Sequence, residues 1–463
     1  MHNNKREMRM KKILKKLILC LLVIPCMFMF SACGKDGLSA YELWKQYNPN
    51  STMTEEEWLE SLVGEKGDPG TNGTDGDDGA DSISSYNVWL EAYNNSQTNL
   101  DYVDWLKANF QIVIDEEKYA INKNLLKVVE VSCYTSLADL QFNKTPSSGG
   151  SGVIYDIDDN GDAYIVTNYH VAYYSMSQNK AYPYFKLKFY GHDNYHYMRA
   201  SFVGGSSTYD IAVLKVEASS FISNTNTTAV TFSSEPLSAG TPVVAIGNSN
   251  AEGINISRGV VDIPSEMVAV TVAGNTCDHR LIRHDAFIIN GNSGGGLFDL
   301  NGDLVGITNG GKKNDQYNQT KYAIPADVVQ RIANQLIESY KVDSSNFKLK
   351  TVDLKISNLT FDKFSSYNPT TGLIELVDKV KITAIDDASI FADVLEVNDI
   401  YLSMTINGVK TEITRDYLTT ELLLDLRVND ILKIEIKREV DDGVYETLEF
   451  SKQILEDDFV VVI

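Results

Sequence analysis

Three residue types that together can move an acyl group occur in the order His170, Asp210, Ser293 along this 463-residue chain. A serine hydroxyl is a weak nucleophile at neutral pH. A histidine within hydrogen-bond reach can take its proton and return it to a leaving amine. A carboxylate behind the ring fixes the imidazole tautomer and stabilises the imidazolium. Ser293 lies in "NGNSGGGLFDL", residues 290 to 300, where Gly291, Gly294, Gly295 and Gly296 interrupt an otherwise strand-like run. Glycine weakens a strand and is tolerated where the chain takes unusual angles or another group comes close. A bulge or loose hairpin is the plainer reading. The sharper one is a loop that aims the backbone N–H groups of Gly291 and Ser293 at the point where a tetrahedral oxyanion develops, each donor being worth about 10²–10³ in rate.

Such residues need strands to hold them. "VTNYHV" places His170 at the end of an apolar strand, and "STYDIAVLKV" places Asp210 just before another. From about 125 to 335, short Val/Ile/Tyr/Phe runs alternate with Gly/Asn/Asp turns, an all-β pattern of the sandwich or barrel kind. Asn160-Gly161 and Asn301-Gly302 are hairpin signals. "ADVVQRIANQLIESY", residues 326 to 340, has the spacing of one amphipathic helix.

"TNYHV", "YDIAVLKV", "PVVAIGNS", "ISRGVV", "RHDAFIINGNSGG" and "YAIPADVV" resemble, in order, segments of the trypsin-like serine proteases of the HtrA/Deg type. The resemblance implies a mostly β fold, with a double six-stranded β-barrel over residues 120–340. It implies His170 as general base, Asp210 as its orienting partner and Ser293 as the nucleophile of an acyl-enzyme. The oxyanion hole would be Gly291 and Ser293, and Phe287, Ile288 and Thr308 would line the specificity pocket. No acid stands at Phe287 to pair a substrate Lys or Arg, so an apolar, small-to-medium side chain before the scissile bond is expected. The implied substrates are unfolded or exported polypeptides, with no metal and no organic cofactor. Relatives of this type are often trimers, which leaves a homo-oligomer as an expectation. Gly296 departs from the family pattern, which usually has proline there.

Residues 350–463 weakly resemble a PDZ domain of α+β type through "VKITAIDDASIFADVLEVNDIYLSMTING" and "LRVNDILKIEIKR". Asn398-Asp399 and Asn429-Asp430 replace the family's Gly-Asp turns, and asparagine tolerates the left-handed angles such turns need. The glycine-containing carboxylate loop is expected near 365 to 376, where Gly372 stands alone. A purely structural domain is the alternative.

The N-terminal third carries no chemistry. "MRMKKILKK" and the apolar run "LILCLLVIPCMFMF" read as an export signal over residues 1–32, too short to span a membrane. "FSACG" resembles a bacterial lipobox, which would attach lipid at Cys33 and hold the protein on a membrane surface. Phe30 stands where leucine is usual, so plain signal cleavage stays open. Over 33–110 a degenerate repeat pairs Trp44 and Trp58 with Trp89 and Trp105, around a collagen-like Gly-X-Y tract at 64–81.

Bulk properties exclude some functions. A net charge of −22 argues against nucleic-acid binding. The two body cysteines, Cys133 and Cys277, make no disulfide framework. Asp156, Asp158, Asn160 and Gly161 have calcium-loop spacing, but Thr167 stands where the bidentate Glu is needed. His192 and His196, four apart, lack a third ligand. His279 and His284 flank "RLIR", and His284 stands where the family often has threonine. The rival function is a catalytically silent surface binding or adhesion protein that uses the barrel as scaffold.

Overall fold

The computed structural model describes residues 45, 52–54, 115–178, 180–220, 227–311, 320–344 and 348–462. The chain divides into two units, residues 1–114 and 115–463. In the first, Lys45 Nζ donates to the Met53 carbonyl at 3.4 Å. The expected export signal, the Cys33 lipidation site, the Gly-X-Y tract at 64–81 and most of the repeat segment lie outside the described residues.

The second unit opens with helix α1 (Glu116–Asn124), capped by the Asp115 carboxylate on Lys118 N. Six strands follow: β1 (Val128–Tyr134), β2 (Ser148–Ile157), β3 (Ala163–Thr167), β4 (Tyr184–Lys188), β5 (Met198–Ser206) and β6 (Ile211–Val216). They close a barrel in the order β1-β2-β3-β6-β5-β4. β3 reads AYIVT and is buried throughout, which is why it lacks the polar alternation of a half-exposed strand. Short helix α2 (Tyr169–Ala172) leaves its end.

A second barrel repeats the plan with β7 (Pro242–Asn248), β8 (Ile254–Val272), β9 (Asn275–His284), β10 (Gly296–Phe298), β11 (Leu304–Gly311) and β12 (Lys321–Pro325), ordered β10-β11-β12-β9-β8-β7. Gly302, at φ 77°, turns β10 into β11 at the expected hairpin signal. Helix α3 (Ala326–Val342) then lies over both barrels. Its Val328, Val329, Ile332, Ala333, Leu336 and Ile337 recur at helical spacing and share one core with Val153 and Val213 of the first barrel and Ile246 and Leu304 of the second.

The remaining chain forms β13 (Leu349–Val352), paired with the last strand, and a sheet ordered β14-β15-β16-β18-β19. Its strands are β14 (Ile356–Asn368), β15 (Leu373–Ile385), β16 (Ile400–Ile406), β18 (Ile431–Asp441) and β19 (Val444–Gln453), with β17 (Val409–Glu412) beside β16 and β20 (Phe459–Val462) closing on β13. This sheet has a core of its own around Ile382, Phe391, Leu432, Ile434 and Ile436. Charges tie it to the two barrels. Arg280 on β9 donates to both oxygens of Glu421 on helix α4 (Leu418–Glu421), at 2.9 and 3.0 Å, and pairs with Asp327 on α3. The Tyr417 ring lies 4.6 Å from the same guanidinium. Burial holds the Glu421 carboxyl above its ordinary value, with the attraction of Arg280 opposing.

Candidate active site

His170 comes from α2, and Asp210 from the residue before β6. β3 ends at Thr167 and Asn168 turns the chain, so His170 is lifted into a helical turn and not left on a strand. Its Nδ1 lies 2.7 Å from Asp210 Oδ2, and its backbone N–H donates to Asp210 Oδ1 at 2.9 Å. Asp210 is buried at φ 53°, a left-handed conformation uncommon for a residue with a side chain. Its carbonyl is held there by Asn168 Nδ2 at 3.0 Å and Tyr169 N–H at 3.1 Å. Burial alone would lower the imidazole pKa. The charge and hydrogen bond of Asp210 outweigh it and leave His170 above its ordinary value. The ring keeps an open edge, 39% exposed.

Ser293 sits in the loop between β9 and β10. Four successive carbonyls of the loop, Asn290 to Ser293, are tied back. Asn290 O accepts from Asn250 N–H at 2.7 Å, and Gly291 O accepts from Ser151 Oγ at 2.8 Å. Asn292 O accepts from Gly295 N–H at 2.9 Å and from Thr308 Oγ1, and Ser293 O accepts from Ser151 N–H at 2.8 Å. A trans peptide points its N–H opposite its C=O. The bonds on Asn290 O and Asn292 O therefore turn the amides of Gly291 and Ser293 away from the barrel. Among the described residues these two N–H groups make no hydrogen bond, whereas Asn292 N–H donates to Ile289 O at 3.1 Å and Gly294 N–H to Thr308 O at 2.9 Å. Two free amides flanking one serine are what an oxyanion site requires. Gly291, at φ 94°, has no room for a Cβ, which would collide with Asn248 O.

The Ser293 hydroxyl donates to Asn309 O at 3.1 Å, and among the described residues no hydrogen bond joins it to His170. Asn309 also donates its side-chain amide to Asp210 Oδ2 at 2.7 Å. One residue thus touches both the acid and the serine, and it stood unremarked in "GITNGG". The buried Ser151 was missed as well. Nothing in "SGGSGVI" signals that its side chain reaches a loop 140 residues away.

The expected pocket residues are placed apart. Phe287 is 60% exposed, with Lys321 Nζ 5.8 Å from its ring centre. Ile288 is buried in the second barrel's interior with Ala286 and Leu297. Thr308 is buried behind the loop, its hydroxyl engaged by Asn292 O and Gly295 O, so it faces the loop backbone and not a substrate. Gly296 is pinned between Ile307 and Ile246 in β10, so the absence of proline does not loosen the loop.

Other candidates have structural duties. Asp158 Oδ1 accepts from Asn160 and Asp162 N–H, closing the β2–β3 turn. His192 and His196 lie in the turn between β4 and β5, where His196 Nδ1 is 3.0 Å from Asp193 Oδ1. His284 is fully buried in β9, where burial lowers its pKa to about 4. Cys133 and Cys277 are unpaired.

Comparison with known proteins agrees with this architecture. Residues 150–307 match the family described as trypsin-like peptidase domain. The serine protease Do-like HtrA of Lactococcus lactis subsp. lactis (strain IL1403) is 32% identical over 45% of this chain and 49% of its own length. Its namesake in Bacillus subtilis (strain 168) is 29% identical over 50% of this chain and 49% of its own. The chain thus spans about half the length of these relatives. Among solved structures, HtrA-type protease AlgW with tripeptide covers 73% of this chain and 97% of its own at 20% identity, with a TM-score of 0.49. Over the matched residues, this chain is similar to the trypsin-like peptidase domain and to serine proteases of the Do-like HtrA type.

Proposed function

We propose that the protein is a serine endopeptidase acting on unfolded, exported polypeptides through an acyl-enzyme. His170 is the general base, Asp210 its orienting carboxylate, Ser293 the nucleophile, and the amides of Gly291 and Ser293 the oxyanion site. The observation that carries this reading is the pair of unbonded amides beside Ser293, in a loop that Asn309 joins to the His170–Asp210 pair. The scheme requires Ser293 Oγ to leave Asn309 O and turn towards the His170 ring about χ1, a change of staggered rotamer open to a partly exposed side chain. No metal or organic cofactor enters the scheme.

The uncharged Phe287 supports a preference for an apolar side chain before the scissile bond, whereas the core position of Ile288 and the enclosed hydroxyl of Thr308 do not. The apolar run and Cys33 support export and lipid attachment at a membrane surface. The left-handed angles of Asn398 and Asn429, φ 81° and 75°, are those the PDZ-like turns require, so we keep residues 350–463 as a PDZ-like element. Trimerisation rests on relatives alone.

The test is labelling of the purified protein, lacking residues 1–33, with a fluorescent fluorophosphonate beside Ser293→Ala and His170→Ala. Labelling of wild type alone supports a competent serine. A folded wild type that stays unlabelled, with and without added unfolded protein, returns the chain to the silent binding-protein class.

A further inference from the structure

Ser151 lies on β2 of the first barrel, is fully buried, and bonds through every polar atom it has. Its N–H donates to Ser293 O at 2.8 Å, and its own carbonyl accepts from Thr167 Oγ1 at 2.6 Å. Its hydroxyl donates to Gly291 O at 2.8 Å and accepts from Asn248 N–H on β7 at 2.7 Å. One side chain of the first barrel therefore links a strand of the second barrel to the loop that carries the nucleophile.

We propose that Ser151 is a positioning residue for the oxyanion site: its hydroxyl fixes the Gly291–Asn292 peptide and so keeps the neighbouring Gly291 N–H aimed at the reaction centre. This rests on the proposed peptidase function and deepens it.

The case is physical. Gly291 at φ 94° has no Cβ and turns with little steric penalty. A loop built on such a residue keeps its amide in place only if the peptides on both sides are clamped. On the N-terminal side the clamp is Asn250 N–H on Asn290 O, 2.7 Å, supplied by backbone. On the C-terminal side it is Ser151 Oγ, supplied by a side chain and therefore removable by substitution. Without that hydroxyl, Gly291 O and Asn248 N–H both lose their partner in a buried place. A buried unpaired polar group is costly, so the loop relaxes by rotating until the carbonyl finds another donor. The rotation carries Gly291 N–H off its aim. Substrate contacts elsewhere are untouched, so the loss falls on the transition state and not on ground-state binding.

The experiment compares wild type, Ser151→Ala, Ser151→Cys and Ser151→Thr of the full soluble chain on a cleaved peptide. Thermal unfolding is followed in parallel, and inhibition by a peptidyl boronic acid, whose tetrahedral adduct fills the oxyanion site, is measured for each. Ser151→Ala is expected to lower kcat about 10–100-fold, less than the roughly 10²–10³ of losing an oxyanion donor outright because the donor is misaimed and not removed, with KM changed less than threefold. Boronate affinity should weaken in proportion to kcat/KM. Ser151→Thr, which keeps the hydroxyl, should recover most of kcat. Ser151→Cys keeps the volume with a weaker donor, should fall between, and carries the test if the alanine variant does not fold. A folded Ser151→Ala or Ser151→Cys with wild-type kcat and boronate affinity overturns the proposal. So does a loss that follows unfolding temperature and that threonine does not rescue. If wild type itself cleaves nothing and takes no fluorophosphonate, the peptidase reading has failed instead.

Discussion

Asn309 holds Asp210 with its side chain and Ser293 with its backbone: Nδ2 to Oδ2 at 2.7 Å, and carbonyl to hydroxyl at 3.1 Å. The acid and the serine are therefore aligned through a residue that belongs to neither barrel-one loop. A hydrogen bond to a charged group contributes about 1.5–3 kcal/mol. Asn309→Ala should lower kcat about tenfold or more while KM stays near wild type. Asn309→Asp should be worse, because it sets a like charge against Asp210. Steady-state kinetics of the two variants decides it, and equal activity of all three proteins would remove Asn309 from the site.

The imidazole of His170 must be neutral to accept a proton. Burial lowers its pKa, but the charge and hydrogen bond of Asp210 raise it further, to a net value above 6.5. Activity should then fall as pH drops through a midpoint above 6.5. Asp210→Asn removes both raising causes and leaves burial, so the midpoint should move below 6.5 while the rate falls about 10⁴-fold. A pH profile of kcat/KM checks both. An unmoved midpoint would assign the acid limb to another group.

His284 makes a separate, structural prediction. Its pKa falls from 6.5 to about 4 by burial, with Asp285 and the Tyr322 backbone opposing and Lys321 adding to the drop. The unfolded chain binds the proton more readily than the folded one between those values. Its contribution is therefore present above pH 6.5 and lost as pH falls towards 4, in all about 3 kcal/mol. His284→Gln should flatten that part of the stability curve, as read from denaturant unfolding at a series of pH values.

Arg280 and Glu421 test what holds the C-terminal sheet. Their side chains are 9% and 8% exposed. Arg280→Met leaves Glu421 buried near Asp327 with only the more distant Arg331, 3.8 Å away, as counter-charge, and removing one partner of a buried pair costs about 3–5 kcal/mol, of which Arg331 should offset part. Arg280→Met with Glu421→Leu should recover part of the loss. A double-mutant cycle on unfolding free energy measures it, and additive losses would mean that the pair is not coupled.

Substrate preference can be read from a peptide library. The exposed, uncharged Phe287 ring favours an uncharged apolar residue before the scissile bond. Cleavage only after Arg or Lys would contradict that pocket. Preference for Asp or Glu would assign the pocket to the Lys321 ammonium, 5.8 Å from the Phe287 ring centre.

The barrels were legible because strand burial writes itself into local composition: "AYIVT" and "IAVLKV" stand out without any partner in view. Helix α3 was legible for the same reason, its apolar period matching its buried face. His170 and Asp210, which the structure joins by a hydrogen bond, and Ser293, which it sets in a loop linked to Asp210 through Asn309, stood out by residue type and flanking text. What local text lacks is where a side chain points across the fold. Thr308 was expected in a pocket through the family resemblance, yet its hydroxyl finds Asn292 O. Ser151 and Asn309 were invisible for that reason too, since their partners lie 140 and 99 residues off.

His170 and Asp210 come from the first barrel, Ser293 and its loop from the second, and the two are joined at Ser151. On the proposed reading, a chain made only through the first barrel would hold the base and its carboxylate without the nucleophile. The two parts of the site meet only when the second barrel closes on the first, so completion of the fold would itself switch the site on.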